Sequence, residues 1–393
     1  MMAAIFLLAI LEKIALIDTF DFATVCDIER HTGTEFLFNH IRETGAEVMA
    51  WRHQSGGMHR FRSDGAEPTA PSDVPVSKLR IPETRSGYGF LNLHRGEIDL
   101  MRDQFDYCAT NGVLPAVHFT LEENHYFSFT FSSWNLDHPE FWGVMQNGTP
   151  WPGHASYSFP EVIEHRVKIL DELIDRGAKL IILGTDRLGG YGPRFEYTAK
   201  SIADWKAAFG TEPPKDFKNT EWIKHCGKYF ENVLRALAKR CRERKVRSIL
   251  MIRQIGLSFD SLLDENGVDW TKLAAEGIVD GIAPYAVYDK DLKDSKEKAF
   301  NVVDKIFARV AARKGKCDLY LPINAYSPGF KEVAKEAGVK PVEAVQKMLE
   351  LATKHGAKGI TLGVVDFGNY PADVRKTLST PRFRCLSPKR NEE

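Results

Sequence analysis

Eight times along this chain a short apolar run gives way to polar residues and is followed by a stretch with helical spacing. Runs that are apolar at every position, rather than at alternate ones, read as strands covered on both faces, the pattern of a parallel sheet. The clearest is Leu180-Ile181-Ile182-Leu183, set between an amphipathic helix closed by Gly177 and the polar Thr185-Asp186-Arg187. Around it stand Phe22–Cys26, Glu47–Trp51, Val113–Thr120, Val246–Ile255, Val279–Val287, Cys317–Ile323 and Gly359–Val365. Strands alternating with helices argue a parallel α/β architecture. Eight such units within 393 residues predict closure into a (β/α)8 TIM barrel. An open doubly wound sheet is the alternative, but no G-x-G-x-x-G follows the first strand and the chain contains no P-loop.

Helices are expected over Thr34–Gly45, Arg95–Asn111, Glu221–Lys245, Trp270–Glu276, Ser295–Arg313 and Pro341–His355. Another is expected to start at Ser158-Phe159-Pro160-Glu161, which reads as a capping box with proline near the first helical position. Gly177-Ala178-Lys179-Leu180-Ile181 has an echo in Gly356-Ala357-Lys358-Gly359-Ile360, which suggests quasi-repetition. Two polar, turn-rich insertions, 54–94 after the second strand and 124–157 after the third, are long enough to suggest a functional role. The expected organisation is an amino-terminal apolar segment 1–18, the barrel over 19–385 and a polar tail over 386–393.

Balanced charge, with 53 basic and 53 acidic side chains, removes the electrostatic footprint of a nucleic-acid binder. The apolar run Ala3–Leu11 is too short to span a bilayer. It lacks a basic flank and an A-x-A cleavage site, so both a secreted or periplasmic location and a cytoplasmic one stay open. The six scattered cysteines contain no C-x-x-C pair and imply neither a zinc site nor a disulfide framework. Oligomeric state is not legible.

A barrel of this kind keeps its chemistry at the carboxyl ends of its strands. Those ends carry Asp27, His53, His118 with Glu122 and Glu123, Asp186 with Arg187, Arg253 with Gln254, Tyr285 with Asp289, Asn324 with Tyr326, and Asp366. Several carboxylates facing one mouth suit glycoside hydrolysis. That reaction needs one carboxyl group to protonate the leaving oxygen and another to serve as nucleophile or as base for water. Neighbouring charge and burial push two such groups apart in pKa and divide the roles. Trp151 and Tyr191, with other loop aromatics, offer flat apolar faces for sugar rings, and Arg, Asn and Gln side chains suit hydroxyl groups. Each candidate has a plainer reading: Asp186-Arg187 as a structural ion pair, Glu122 and Glu123 as solvated loop residues, Asp289 as a solvated helix start, Asp366 as a turn cap. Glu196 reads as a polar loop residue and His118 equally well as a core histidine. A divalent metal held by His118, Glu122, Glu123 and His125 is a further alternative, weakened because no H-x-H lies on the first strand.

The segment SYSFPEVIEHRVKILDELIDRGAKLIILGTDR, then GGYGPRFEYT, then WKAAFGTEPP resembles the glycosyl-hydrolase-like family 10 group and related barrels of the glycosidase superfamily. The detailed likeness covers roughly Pro139 to Asp216. It implies a barrel hydrolase that needs no cofactor and takes a carbohydrate substrate. Retaining glycosidases with Asn-Glu on the fourth strand and Glu on the seventh are not matched, since Thr185-Asp186 and Asn324-Ala325 stand there. The chitinase-like D-x-x-D-x-D-x-E is absent too. An aspartate ending the fourth strand is similar to the nucleophile of barrel α-glycosidases, on which analogy Asp289 would be its acid partner. Asp186 is therefore the first catalytic candidate, with the second open among Glu123, Asp289 and Asp366. The expected function is hydrolysis of an oligo- or polysaccharide; a non-catalytic carbohydrate-binding barrel and a metal-dependent hydrolase or isomerase are the alternatives.

Overall fold

The computed structural model describes residues 11–17, 38, 41–55, 58–59, 99–121, 133–185, 192–287, 299–323, 334–335, 337–363 and 372–379. Its first two barrel strands are β1 (Glu12–Ile17) and β2 (Val48–Arg52), followed by a short hairpin of β3 (Gln54–Ser55) and β4 (Met58–His59). Helix α1 (Leu100–Asn111) leads to β5 (Leu114–Thr120). The second insertion contains α2 (Ser133–Asp137) and a hairpin of β6 (Trp142–Val144) and β7 (Pro150–Ala155). Then come α3 (Pro160–Asp175), β8 (Leu180–Gly184), α4 (Ala199–Phe209), α5 (Thr220–Glu243) and β9 (Arg247–Ile255). The chain continues through α6 (Trp270–Glu276), β10 (Gly281–Val287), α7 (Ala299–Arg313) and β11 (Asp318–Pro322). It ends with α8 (Pro341–Lys354), β12 (Gly359–Leu362) and α9 (Ala372–Ser379).

β1, β2, β5, β8, β9, β10, β11 and β12 form a closed, wholly parallel barrel in sequence order. β1 completes the circuit, pairing Ile14 with Val48 of β2 and Glu12 with Gly359 of β12. This is the expected (β/α)8 TIM barrel, with long insertions after the second and third barrel strands. Leu180, Ile181, Ile182 and Leu183 are wholly buried, as an apolar strand covered on both faces requires. Each such side chain contributes roughly 1.5–3 kcal/mol.

The first strand corrects the sequence expectation. Glu12–Ile17, not Phe22–Cys26, closes the barrel, so the barrel begins inside the stretch read as an amino-terminal apolar segment. Phe22–Cys26 lies outside the described residues. Lys13 is fully buried, and its Nζ donates to Leu378 O at 2.6 Å near the carboxyl end of α9. A cation there meets the negative end of the helix dipole, so the first strand and the last helix are tied together.

The repeated Gly-Ala-Lys has one structural meaning at both sites. Gly177 and Gly356 each take positive φ (121° and 67°) at the end of a helix, a conformation that side chains with a Cβ disfavour. The lysine amides two residues on then donate to the neighbouring strand, Lys179 to Pro115 O and Lys358 to Leu319 O. The same turn twice delivers a helix into a barrel strand. The start of α3 departs from expectation: its N-cap is Phe159, with no side-chain cap, because Ser158 is engaged elsewhere.

Cys108, Cys226, Cys241 and Cys317 are buried free thiols, and burial pushes Cys108 up to about 12. Cys26 and Cys385 lie outside the described residues. No helix among the described residues is long and apolar enough to cross a membrane.

Candidate active site

Parallel closure brings the carboxyl ends of all eight barrel strands to one face. On one side of that face the strands stay covered to their ends: Arg52, Thr120 and Gly184, which close β2, β5 and β8, are buried. β11 and β12 also stay buried to their ends, and cover thins at β9 and β10. Arg253 and Gln254 of β9, and Tyr285, Ala286 and Val287 of β10, are half-buried. Of the polar residues expected to meet a substrate, Arg253 and Tyr285 are therefore placed where the described mouth is open.

His53 and His118 are placed differently. Both are buried, and His53 Nδ1 lies 3.3 Å from His118 O and 3.4 Å from Thr120 N. The His53 ring stacks flat on Phe119, with centroids 4.3 Å apart. The Arg166 guanidinium also lies over Phe119, at 5.0 Å, and donates to the carbonyls of Thr120 and Leu121. Tyr157 donates to Leu121 O at 2.5 Å. These contacts hold the end of β5 and Leu121 in place.

A second buried cluster fixes the return of the chain after β8. Glu196 is wholly buried, and its two oxygens lie 2.8 Å from His154 Nε2 and 2.6 Å from Ser156 Oγ. The chain of hydroxyls continues from Ser156 to Ser158 at 2.7 Å and from Ser158 to Thr198 at 3.3 Å. Burying a carboxylate is costly unless it is paired and hydrogen-bonded, and here both oxygens have partners. Tyr197 N donates to Val144 O, and Trp151 stacks on Phe195 at 5.0 Å, so the hairpin and the segment after β8 form one packed unit. Trp151 is thereby placed against protein on at least one face. In sequence Glu196 reads as a polar loop residue among the lesser candidates, since its partners lie about forty positions away.

The open side of the mouth carries a carboxyl that the sequence reading did not single out. Glu265 ends a single π-type turn (Ser261–Glu265) after β9, and its Oε2 lies 3.6 Å from Arg253 Nη1. Burial raises its carboxyl pKa, against the opposing pull of Arg253. Side by side, the guanidinium supplies donors and the carboxylate acceptors for hydroxyl groups. The only available sequence signal was its place, ten residues past the strand end in a polar stretch without periodicity.

Asp186, Glu123, Asp289 and Asp366, the four catalytic candidates, lie outside the described residues, as do Glu122, Arg187, Tyr191, Asn324 and Tyr326. His125 of the alternative metal set does too. The strand ends still locate them along the chain: Asp186 follows β8 by two residues and Asp289 follows β10 by two.

No family model matches the chain, and no curated protein matches it significantly. Solved structures do. The PgaB (BpsB) glycoside hydrolase domain from Bordetella bronchiseptica is similar over 94% of this chain and 99% of its own, with TM-score 0.54 and 13% identity. The beta-galactosidase of the psychrophilic Marinomonas ef1 is similar over 94% of this chain and 59% of its own, at TM-score 0.56 and 11% identity. The spore cortex-lytic enzyme SleL of Bacillus megaterium QM B1551 covers 95% of this chain and 74% of its own, at TM-score 0.51 and 10% identity. At these identities the likeness is one of fold.

Proposed function

We propose that this chain is a glycoside hydrolase acting on an oligo- or polysaccharide at the carboxyl-terminal mouth of the barrel. The observation that carries the reading is a likeness of fold to a glycoside hydrolase domain that runs over 94% of this chain and 99% of the other, at TM-score 0.54. A shared fold supplies only a prior; the chemistry rests on the acids that follow the strands. Asp186 is one catalytic carboxylate. Its partner is one of Glu123, Asp289 and Asp366, one group protonating the glycosidic oxygen and the other attacking the sugar or activating water.

His53, His118, Glu122, Trp151, Arg187, Tyr191, Arg253, Tyr285, Asn324 and Tyr326 make up the substrate-binding set in this proposal. Arg253 and Tyr285 receive the most support, because they stand half-buried where strand cover ends. The narrower kinship with glycosyl-hydrolase-like family 10, carried by the motifs between roughly Pro139 and Asp216, belongs to the same proposal, as does a role in polysaccharide degradation.

The test is a screen of the purified chain against soluble polysaccharides and defined oligosaccharides of glucose, galactose, mannose, fucose and N-acetylglucosamine, with products read by mass spectrometry. Release of shorter sugars is the expected result. Binding without release would leave a non-catalytic carbohydrate-binding barrel in its place.

A further inference from the structure

A cavity of about 470 Å³ opens beside the mouth, between the connection after β8 and the connection after β9. That volume falls within the roughly 300–1,000 Å³ of small-molecule sites. It is separate from the strand-end ring, yet linked to it: Glu265, in its wall, forms the ion pair with Arg253 of β9.

Its walls are held in place before any ligand arrives. Trp222 Nε1 donates to Pro193 O at 3.0 Å and fixes the β8 side. On the β9 side, Asp260 accepts from the amides of Leu262 and Leu263 and from Trp270 Nε1, while its own amide donates to Asp264 at 2.7 Å. The two connections meet where Gly192 lies against Asn266. A Cβ on that glycine would stand 2.6 Å from Asn266 Nδ2, so no larger residue fits without a shift. Preorganised walls lower the ordering cost of binding.

The lining is amphipathic and electrically balanced. Phe217, Pro193 and Ile223 supply apolar surface. Arg194 and Lys218 line it together with Asp264 and Glu265, two cations and two carboxylates, with Asn266 buried in the wall. A phosphate or a metal ion would find as much repulsion here as attraction. A neutral ring with an apolar C–H face and a rim of hydroxyls matches every part of it. The geometry points to a second, non-catalytic binding site for a neutral pyranose unit, holding part of a carbohydrate chain outside the catalytic mouth. This rests on the proposed carbohydrate substrate but not on hydrolysis.

Hydrogen exchange of the full chain, read with and without saturating hexasaccharides of glucose, mannose and N-acetylglucosamine, tests it. The expected result is protection of 217–219 and 261–266 by at least one of them. In addition, the Arg194→Ala/Lys218→Ala double variant, which changes two exposed side chains, should weaken that sugar's affinity about tenfold or more. Protection confined to the strand ends around 253–254 and 285–287 would overturn the second site and leave the hydrolase reading standing. Protection at the cavity without any released sugar would support the site and sink the hydrolase. Failure of all three sugars to bind, or an unchanged affinity in the double variant, would overturn the inference.

Discussion

Arg247, at the start of β9, holds Glu12, at the start of β1, with hydrogen bonds of 2.8 and 3.2 Å. The two strands are not neighbours, since β10, β11 and β12 stand between them on one side and β8, β5 and β2 on the other. The bonds therefore link opposite walls at the amino end of the barrel. Tyr320 of β11 donates to the same carboxylate at 2.9 Å. Arg247 is 38% exposed, so solvent screening limits the ion pair to about 1 kcal/mol. With the tyrosine hydroxyl also left unpaired, Glu12→Ala should cost about 1–2 kcal/mol in urea unfolding. An unchanged midpoint would remove this carboxylate from the account of barrel closure.

Lys13 faces the other way and makes the next prediction. Its ammonium is fully buried and bonded to Leu378 O. Lys13→Met keeps the stem and removes the donor, leaving the carbonyl short of a partner. The expected loss is about 1–3 kcal/mol, with α9 fraying first in hydrogen exchange. If α9 exchanges as before, the strand-to-helix tie is not made through this side chain.

These two residues show why the first strand was illegible in the sequence. Glu12-Lys13 reads as the charged end of an apolar run, whereas a strand sends successive side chains to opposite faces. Each charge finds its partner only in the folded barrel, 235 residues away for Glu12 and 365 for Lys13. No local pattern carries that. The apolar runs of β8 and β12 needed no distant partner to be read, nor did the Gly-Ala-Lys turns that feed them. At the mouth, Arg253 and Tyr285 were legible because they end such runs. Glu196 and Glu265 were not, because one is defined by burial against a hairpin and the other by an isolated π-type turn.

Glu196 makes a third prediction. Removing it would leave His154 and Ser156 facing each other without their shared acceptor in a buried site. Glu196→Ala should cost about 1–3 kcal/mol. Gly143→Ala probes the same contact from outside, since its Cβ would lie 2.6 Å from His154 Cδ2 and 2.9 Å from Phe195 O. Overpacking of that kind costs about 1–3 kcal/mol. Thermal unfolding of both variants checks this, and wild-type midpoints would show the hairpin to be merely laid against the segment after β8.

Asp304 sets a pH dependence. The Lys354 ammonium, then His355, hold its carboxyl below the ordinary aspartate value. A native pKa below the unfolded value of about 3.9 stabilises the fold fully above that value and is lost as pH falls through the native one. Asp304→Asn should therefore cost about 1 kcal/mol at neutral pH and close to nothing near pH 2. An equal cost at both would place the effect in packing rather than charge.

Sugar release by Asp186→Asn, measured beside the wild type on whichever carbohydrate the screen identifies, decides whether this barrel hydrolyses through that carboxylate. Turnover should fall about 100-fold or more with sugar affinity retained. Wild-type turnover in the variant would contradict it.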